Sequence, residues 1–528
     1  MSNTYRDHLN LIRQQPALLN ALANLSRGIE KESLRTNNDG SLSQSLHPQT
    51  LGSALCHSKI TTDYSEALLE FITPVHGTIQ GALAELSDIH HFTYQKLAQQ
   101  DELLWTSSMP CQLGAEKDIP VAVYGSSNVA TMKTVYRYGL GQRYGRHMQT
   151  VSGIHYNFSV SDNFWAHYQR ALGNTDANAD FKTQQYFNLI RNFRRHVPLL
   201  VYLFGSSPAL CRSFLKAGQD HNLEKFDDHT WYGRYATSLR MGDLGYQSSE
   251  QDSLFVCYNC IDDYIVSLKA AIKDSHPAYE KIGLFNAEGE QHQLNTSLLQ
   301  IENEFYSTIR PKRIAASGEA PINALARGGV EYIEVRCMDI NPFSPIGIDL
   351  ETAKFLDLFL LYCLLSDSPK LNPVECKLTE ENLKLVVEQG RKPGLQLQQV
   401  DGSQVDFKTW GLELLQDMQP LAEVLDSLKA DKNYHASLSQ QSKKMLDVSL
   451  TPSALVLQQM RDKKLSFAEF SRQQSQHWQQ HFINKTMITE IKERFEAYAA
   501  DSIAQQKTIE AADKGDFAAY LADFYSQY

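Results

Sequence analysis

The sequence predicts an α+β protein: an antiparallel sheet with surrounding helices over residues 1–371, and a mainly helical region over 372–528 packed on it. Three observations lead there. Two segments alternate polar and apolar residues with the period of a strand. Helical patterns lie between them without a regular strand–helix–strand rhythm, which favours antiparallel pairing. Beyond about Asn372 the composition shifts to Gln, Lys, Glu and Leu, and from residue 412 onward the only glycine is Gly515.

Taken in order, RGIEKESLR (27–35) reads as a strand that puts Glu30 and Glu32 on one face. Asp63 to Thr73 is predicted as a helix. Asp63 is placed at the N-cap, Glu66 three residues later completes a capping box, and Glu70 lies one turn further on. Gly139-x-Gly141-x-x-x-Gly145 misses the dinucleotide-loop spacing and is read as a turn. TVSGIHYNFSV (150–160) alternates, with Ile154, Tyr156 and Phe158 on one face and His155, Asn157 and Ser159 on the other. Asp180 to Phe204 reads as a helix. GVEYIEVRCM (329–338) is the second alternating strand: Ile333, Val335 and Cys337 oppose Tyr332, Glu334 and Arg336. FLDLFLLYCLL (355–365) is apolar but short and interrupted by Asp357, so it reads as a buried core helix and not a membrane span. Segments 379–389, 412–428 and 488–506 carry helical periodicity.

Composition narrows the function. The chain has 528 residues, 42% of them hydrophobic and 21% charged, which provides for a large core. Its net charge of −11 argues against non-specific nucleic-acid binding, which needs a basic surface. Eight cysteines fall without a framework spacing and read as reduced thiols. Cys257-x-x-Cys260 has metal or redox spacing but lacks the second pair a zinc ribbon needs. No apolar leader follows Met1, so a cytoplasmic protein is expected, with no membrane partner.

The usual short signatures are missing: no phosphate-loop motif, no nucleophile elbow and no H-E-x-x-H. What remains is acid residues in structured segments. Glu30 and Glu32 form either a solvated strand face laced with Lys31 and Arg35, or a carboxylate pair. Glu66 is explained by capping, whereas Glu70, between Leu69 and Phe71, needs either an edge position or a neutralising partner. His155 is either a satisfied interior residue or a ligand facing a polar cavity with Asn157 and Ser159. Glu334 and Arg336 form either a strand salt bridge or a cation–anion subsite. Several carboxylates with one imidazole suit Mg²⁺ or Mn²⁺ better than Zn²⁺. Basic residues also cluster, at Arg137, Arg143 and Arg146, at Arg240, and at Arg310, Lys312 and Arg313. Acids for a metal beside arginines for an anion are the equipment of phosphoryl transfer from a nucleotide.

These segments resemble the bacterial glutamate–cysteine ligases. The blocks are RGIEKESLR, LGSALCHSKITTDYSEALLEFITPV, VYGSSN, QTVSGIHYNFS, ATSLRMGDLGY, QIENEFYSTIRPKR, GGVEYIEVR and DINPFSPIGID, in order from about residue 25 to 350. The resemblance implies a glutamine synthetase-like carboxylate–amine ligase: a curved, mostly antiparallel sheet forming a funnel with metals in its bore. It implies Glu30, Glu32, Asp63, Glu70, His155 and Glu334 as metal ligands, and Arg137 and Arg336 as phosphate holders. Tyr64, Tyr136, Leu140, Gln149, Arg240, Tyr246 and Tyr306 would line the amino-acid pocket, with Tyr64 standing where the family pattern has Phe. The implied substrates are L-glutamate, L-cysteine and ATP, with Mg²⁺ or Mn²⁺ as cofactor. The implied product is γ-glutamylcysteine, which opens glutathione synthesis and makes glutathione a possible feedback inhibitor. A monomer is expected. A ligase with another amine acceptor is the alternative. A non-catalytic relative is disfavoured by the full ligand set, and a phosphohydrolase by the amino-acid clamp.

Overall fold

A computed structural model describes residues 3–216, 219–245, 251, 254–316, 318–428 and 433–528. Among them the strands are, in chain order, β1 (Leu25–Asn37), β2 (Ile60–Thr62), β3 (Leu68–Ile72), β4 (Glu102–Leu104), β5 (Ile154–Val160), β6 (Ala209–Cys211), β7 (Glu224–Lys225), β8 (Thr230–Tyr232), β9 (Ile309–Lys312), β10 (Tyr332–Met338), β11 (Gln396–Gln398) and β12 (Gln404–Asp406). A seven-stranded sheet runs β2-β3-β1-β5-β10-β9, with β4 also paired to β1. Every pairing in it is antiparallel. The α+β expectation therefore holds, with β1 and β5 at the centre.

The alternation read in the sequence sorts the two faces. Ile29, Tyr156, Phe158, Ile333 and Val335 are buried together on one side. Helix Asn178–Phe204 packs there against β10 and against helix Leu350–Leu365. Every residue from Thr352 to Leu365 is buried, the charged Lys354 and Asp357 included, as befits a mostly apolar core helix. Asp349 caps its start by accepting from the Thr352 N–H at 2.7 Å. A single apolar cluster runs from Tyr5 to Phe495 and includes Met418, Leu421 and Leu425 of helix Phe407–Leu428. The helical pattern at 379–389 begins earlier than the periodicity suggests, at Pro373, where Asn372 accepts from the Glu375 N–H and proline occupies the first turn. No described helix is long and apolar enough to cross a membrane.

Two local readings are corrected. Asp63 to Thr73 is not a helix. β2 and β3 form a hairpin over it, with Thr61 opposite Glu70. The capping box does not form. The Glu66 carboxylate instead accepts the backbone N–H groups of His47 (2.6 Å) and Val123 (2.7 Å), anchoring two loops. The Gly139–Gly145 segment is not a turn either: Asn128–Tyr144 is a helix, capped at its start by Ser127. A Cβ at Gly139 would collide with the Gln300 side chain, and one at Gly141 with the Tyr64 hydroxyl. These glycines give up about 1 kcal/mol each of helix propensity so that two side chains can approach the backbone.

Candidate active site

The polar face of the sheet gathers the acids. Register places Glu30 opposite His155, Glu32 opposite Glu70, and Glu334 opposite Asn157. Three neighbouring strands and the hairpin thus bring carboxylates far apart in sequence to one place. His155 Nδ1 lies 3.2 Å from Glu30 Oε2 and 3.6 Å from Glu334 Oε1, and its Nε2 lies 3.7 Å from Glu32 Oε1. Asn157 donates its amide to Glu30 Oε1 at 2.8 Å. The Gly153 N–H donates to Glu32 Oε2 at 2.6 Å. Asp63 sits in the hairpin turn, where its backbone carbonyl accepts from Arg137 Nε and the Tyr124 hydroxyl.

A cavity of about 260 Å³ opens on this cluster. Its lining contains all the predicted ligands, both predicted phosphate arginines, and Tyr64, Tyr136, Leu140, Gln149 and Tyr306. Two predicted residues are not in it. Tyr246 lies outside the described residues. Arg240 is fully buried behind the wall, donating to the Arg336 carbonyl at 3.0 Å, with Nη1 3.9 Å from Asp339. It packs so closely on Gly153 that any Cβ there would collide with the guanidinium. A larger cavity of about 500 Å³ borders the Leu239–Met241 turn and contains none of the predicted residues.

The cavity lining also includes residues the sequence reading did not assign: Met148, Val151, Asn303, Glu304, Arg310 and Lys312. The last two stood in the basic IRPKR run, which was the available signal. Lys312 Nζ comes 3.5 Å from Glu334 Oε2, and Arg336 Nη1 donates to Glu334 Oε1 at 3.2 Å. Glu304 gave no such signal. It is held by Arg143 Nη1 (2.9 Å) and the Tyr144 hydroxyl (2.8 Å), contacts distant in sequence.

Electrostatics divide the acids. Burial raises the Glu70 carboxyl well above the ordinary range, and the charges of Glu30, Asp63 and Glu32 push it further. Burial also raises Glu32, outweighing the attraction of His155. Glu334 is buried too, but Lys312, Arg336 and His155 together outweigh that burial and hold it well below the usual carboxylate range. Glu30 is also lowered, since its hydrogen bond to His155 offsets burial. Arg137 pulls the Glu70 carboxyl the other way, but its attraction is outweighed by burial and by the three neighbouring carboxylates.

The donor set fits a hard divalent cation. Glu30, Glu70 and His155 each offer a ligand atom, all within 4.8 Å of one another. His155 Nε2 is buried without a hydrogen-bond partner among the described residues, and Glu334 Oε2 has only the ion pair with Lys312. Buried polar atoms left so are expensive unless something else completes them. Cys257 and Cys260 are half-buried thiols outside this grouping. Burial raises the Cys257 thiol pKa, which disfavours the thiolate a metal would need. Replacing both with Ser is expected to leave the ligation rate within a few-fold. Loss of activity together with bound zinc would show a metal site at that pair.

An antiparallel sheet that collects carboxylates and an imidazole on one face, walled by arginines and tyrosines, is the arrangement that the resemblance to carboxylate–amine ligases implies. Residues 9–386 match the glutamate–cysteine ligase family. The "Glutamate--cysteine ligase" of Alcanivorax borkumensis is 49% identical over 518 residues, covering 96% of this chain and 98% of that protein. That of Saccharophagus degradans is 50% identical over 508 residues, covering 96% and 95%. The crystal structure of a glutamate–cysteine ligase from Francisella tularensis in complex with AMP superposes with a TM-score of 0.89 at 38% identity, covering 95% of this chain and 98% of that one. The chain belongs to the glutamate–cysteine ligase family.

Proposed function

We propose that this cavity joins L-cysteine to the γ-carboxylate of L-glutamate at the expense of ATP. The carrying observation is one cavity with a carboxylate–imidazole cluster on the sheet and Arg137, Arg336, Arg310 and Lys312 around it. A carboxylate oxygen is too poor a leaving group for an amine to displace. Transfer of the γ-phosphoryl group of ATP to the glutamate carboxylate converts that oxygen into part of a phosphate. The cysteine amine then attacks the carbonyl carbon, the carbon–oxygen bond to phosphate breaks, and the amine loses its proton.

Glu30, Glu32, Asp63, Glu70, His155 and Glu334 would hold Mg²⁺ or Mn²⁺, which when bound neutralises phosphoryl oxygens. Arg137 and Arg336 present rigid forks of donors to the same oxygens. Arg137 is preset for this: Nη1 donates to the Lys133 carbonyl at 2.8 Å, and the guanidinium lies 4.5 Å from the centre of the Tyr124 ring. Tyr64, Tyr136, Leu140, Gln149 and Tyr306 wall the amino-acid pocket, with Gln149 donating to the Tyr306 hydroxyl at 3.0 Å. Arg240 supplies its charge from behind that wall, where it counters Glu32. Holding both amino acids in place lowers the barrier by several kcal/mol through orientation alone. We place the enzyme in the cytoplasm as a monomer, with glutathione competing for the amino-acid pocket it resembles.

Phosphate release with ATP, Mg²⁺ and glutamate, with and without cysteine and other amines, tests this reading. Cysteine should give the fastest turnover, and equal rates with unrelated amines would move the acceptor assignment. Arg336→Lys replaces the fork with a point charge and should lower turnover by at least about tenfold, with the Michaelis constant for cysteine little changed. An Arg336→Lys enzyme impaired only in cysteine affinity would take Arg336 out of the phosphate site.

A further inference from the structure

Helix Asn128–Tyr144 delivers Tyr136, Arg137 and Leu140 to the cavity, and the last residues of the chain grip it at two points. At its start, Asp513 accepts from the Asn128 backbone N–H and, at 3.0 Å, from the Asn128 side-chain amide. Beside it the Ser126 N–H donates to Glu510 Oε1 at 3.0 Å. Gly125, at φ +120°, leaves room for that approach: a Cβ there would collide with Glu510 and Gln506. Further along, Tyr136 packs in an apolar cluster with Val135, Leu294, Phe517, Leu521 and Tyr525.

The same residues grip the opposite wall. The Tyr525 hydroxyl donates to the Gln300 carbonyl at 2.8 Å and accepts from the Asn295 amide at 3.0 Å. The Tyr528 hydroxyl donates to Glu302. Gln300 in turn donates its amide to the Tyr136 carbonyl at 3.1 Å and its backbone N–H to Glu304 at 2.6 Å. Glu304 lines the cavity two residues before Tyr306. Leu521 is the only buried residue of helix Phe517–Ser526, so this segment adds little to the core. Its hydrogen bonds fall on the elements that build the pocket and, through Gln527, on residues 318–323 beside them.

We infer that residues 510–528 are a positioning strap for the amino-acid pocket: they set Tyr136, on the helix, against Glu304 and Tyr306, on the facing segment. The inference rests on the pocket assignment made above. The strap touches no reacting atom. Arg137 lies on the same helix but has an anchor that the strap does not supply, the Asp63 carbonyl of the hairpin turn, so the phosphate subsite should feel the strap less than Tyr136 does.

The test uses the full chain carrying Tyr525→Phe, Asp513→Ala, or both, with Michaelis constants for all three substrates and the melting temperature. The double variant should raise the constant for cysteine roughly three- to tenfold, the value of one lost hydrogen bond or a little more. The constant for ATP should stay within about twofold, because a loss of uniform binding is confined to the substrate whose pocket moved. The melting temperature should change little, since a surface cap and one hydroxyl are removed. An unchanged cysteine constant overturns the strap. So does a parallel loss for all substrates that tracks a lower melting temperature. Tyr136→Ala separates the two levels. If it raises the cysteine constant while the strap variants do not, the strap alone fails. If it too leaves that constant unchanged, the pocket assignment fails and takes the strap with it.

Discussion

Glu70→Gln should lower turnover at saturating Mg²⁺ by at least about a hundredfold, comparable to removing one preorganised electrostatic partner of a transition state. The side chain keeps its volume and loses only its charge. Glu70 faces Glu32 across the β1–β3 pair and lies within 4.8 Å of a ligand atom of both Glu30 and His155. It is also the acid whose ionised form the protein opposes most clearly, through burial first and then Glu30, Asp63 and Glu32. A carboxyl whose pKa is raised by folding costs stability wherever it must ionise. Without metal, therefore, Glu70→Gln should melt at the same temperature as the parent or higher, because repulsion is relieved. With metal the order should reverse, since the parent gains more from binding. Rates and melting curves with and without Mg²⁺ give both readings from one preparation. Near-normal turnover would show that the hairpin carboxylate is not a ligand, and a lower melting temperature without metal would show that Glu70 is a structural acid.

Much of this site was legible in the sequence because strand alternation survives folding. His155 and Glu334 each alternate with apolar residues in a period-two pattern, Glu30 and Glu32 share one face of their strand two residues apart, and all four line the cavity. What the sequence hid was register. Nothing local says that Glu30 stands beside His155, or Glu32 beside Glu70, since those pairings join segments separated by scores of residues. The hairpin failed for a related reason. Asp63 and Glu66 have capping-box spacing, and a capping box and a turn use the same short acids. Tertiary partners decided the outcome, because the His47 and Val123 N–H groups claim Glu66. The alternation Leu69-Glu70-Phe71 was the competing signal. Leu69 and Phe71 are fully buried, while Glu70 faces the cavity. The helical glycines 139 and 141 were misread because their reason lies in Gln300 and Tyr64, which no local pattern reveals.

Asp357, the single acid in FLDLFLLYCLL, explains how the catalytic sheet is fastened to the core. Its side chain is fully buried. It accepts from Arg27 Nε at 2.9 Å and from Arg27 Nη2 at 2.5 Å, and from the hydroxyls of Tyr156 (2.8 Å) and Tyr434 (3.2 Å). Arg27 lies near the start of the strand that carries Glu30 and Glu32, and Tyr156 adjoins His155 on β5. One carboxylate thus ties both central strands of the sheet to helix Leu350–Leu365 and, through Tyr434, to helix Tyr434–Leu446. Asp357→Asn removes the counter-charge of a guanidinium that is itself only 3% exposed. The expected cost is about 3–5 kcal/mol, the price of stranding a buried charge rather than the net worth of the pair. Denaturant unfolding should show it as a lower midpoint with an unchanged slope. The double variant Arg27→Met with Asp357→Leu should recover most of that loss, since well-packed apolar side chains replace a buried ion pair at little cost. Asp357→Asn within about 1 kcal/mol of the parent would mean that Arg27 finds other acceptors, and that the backbone carbonyls of Leu25 and Gly77, each 2.9 Å from Nη1, hold it well enough alone.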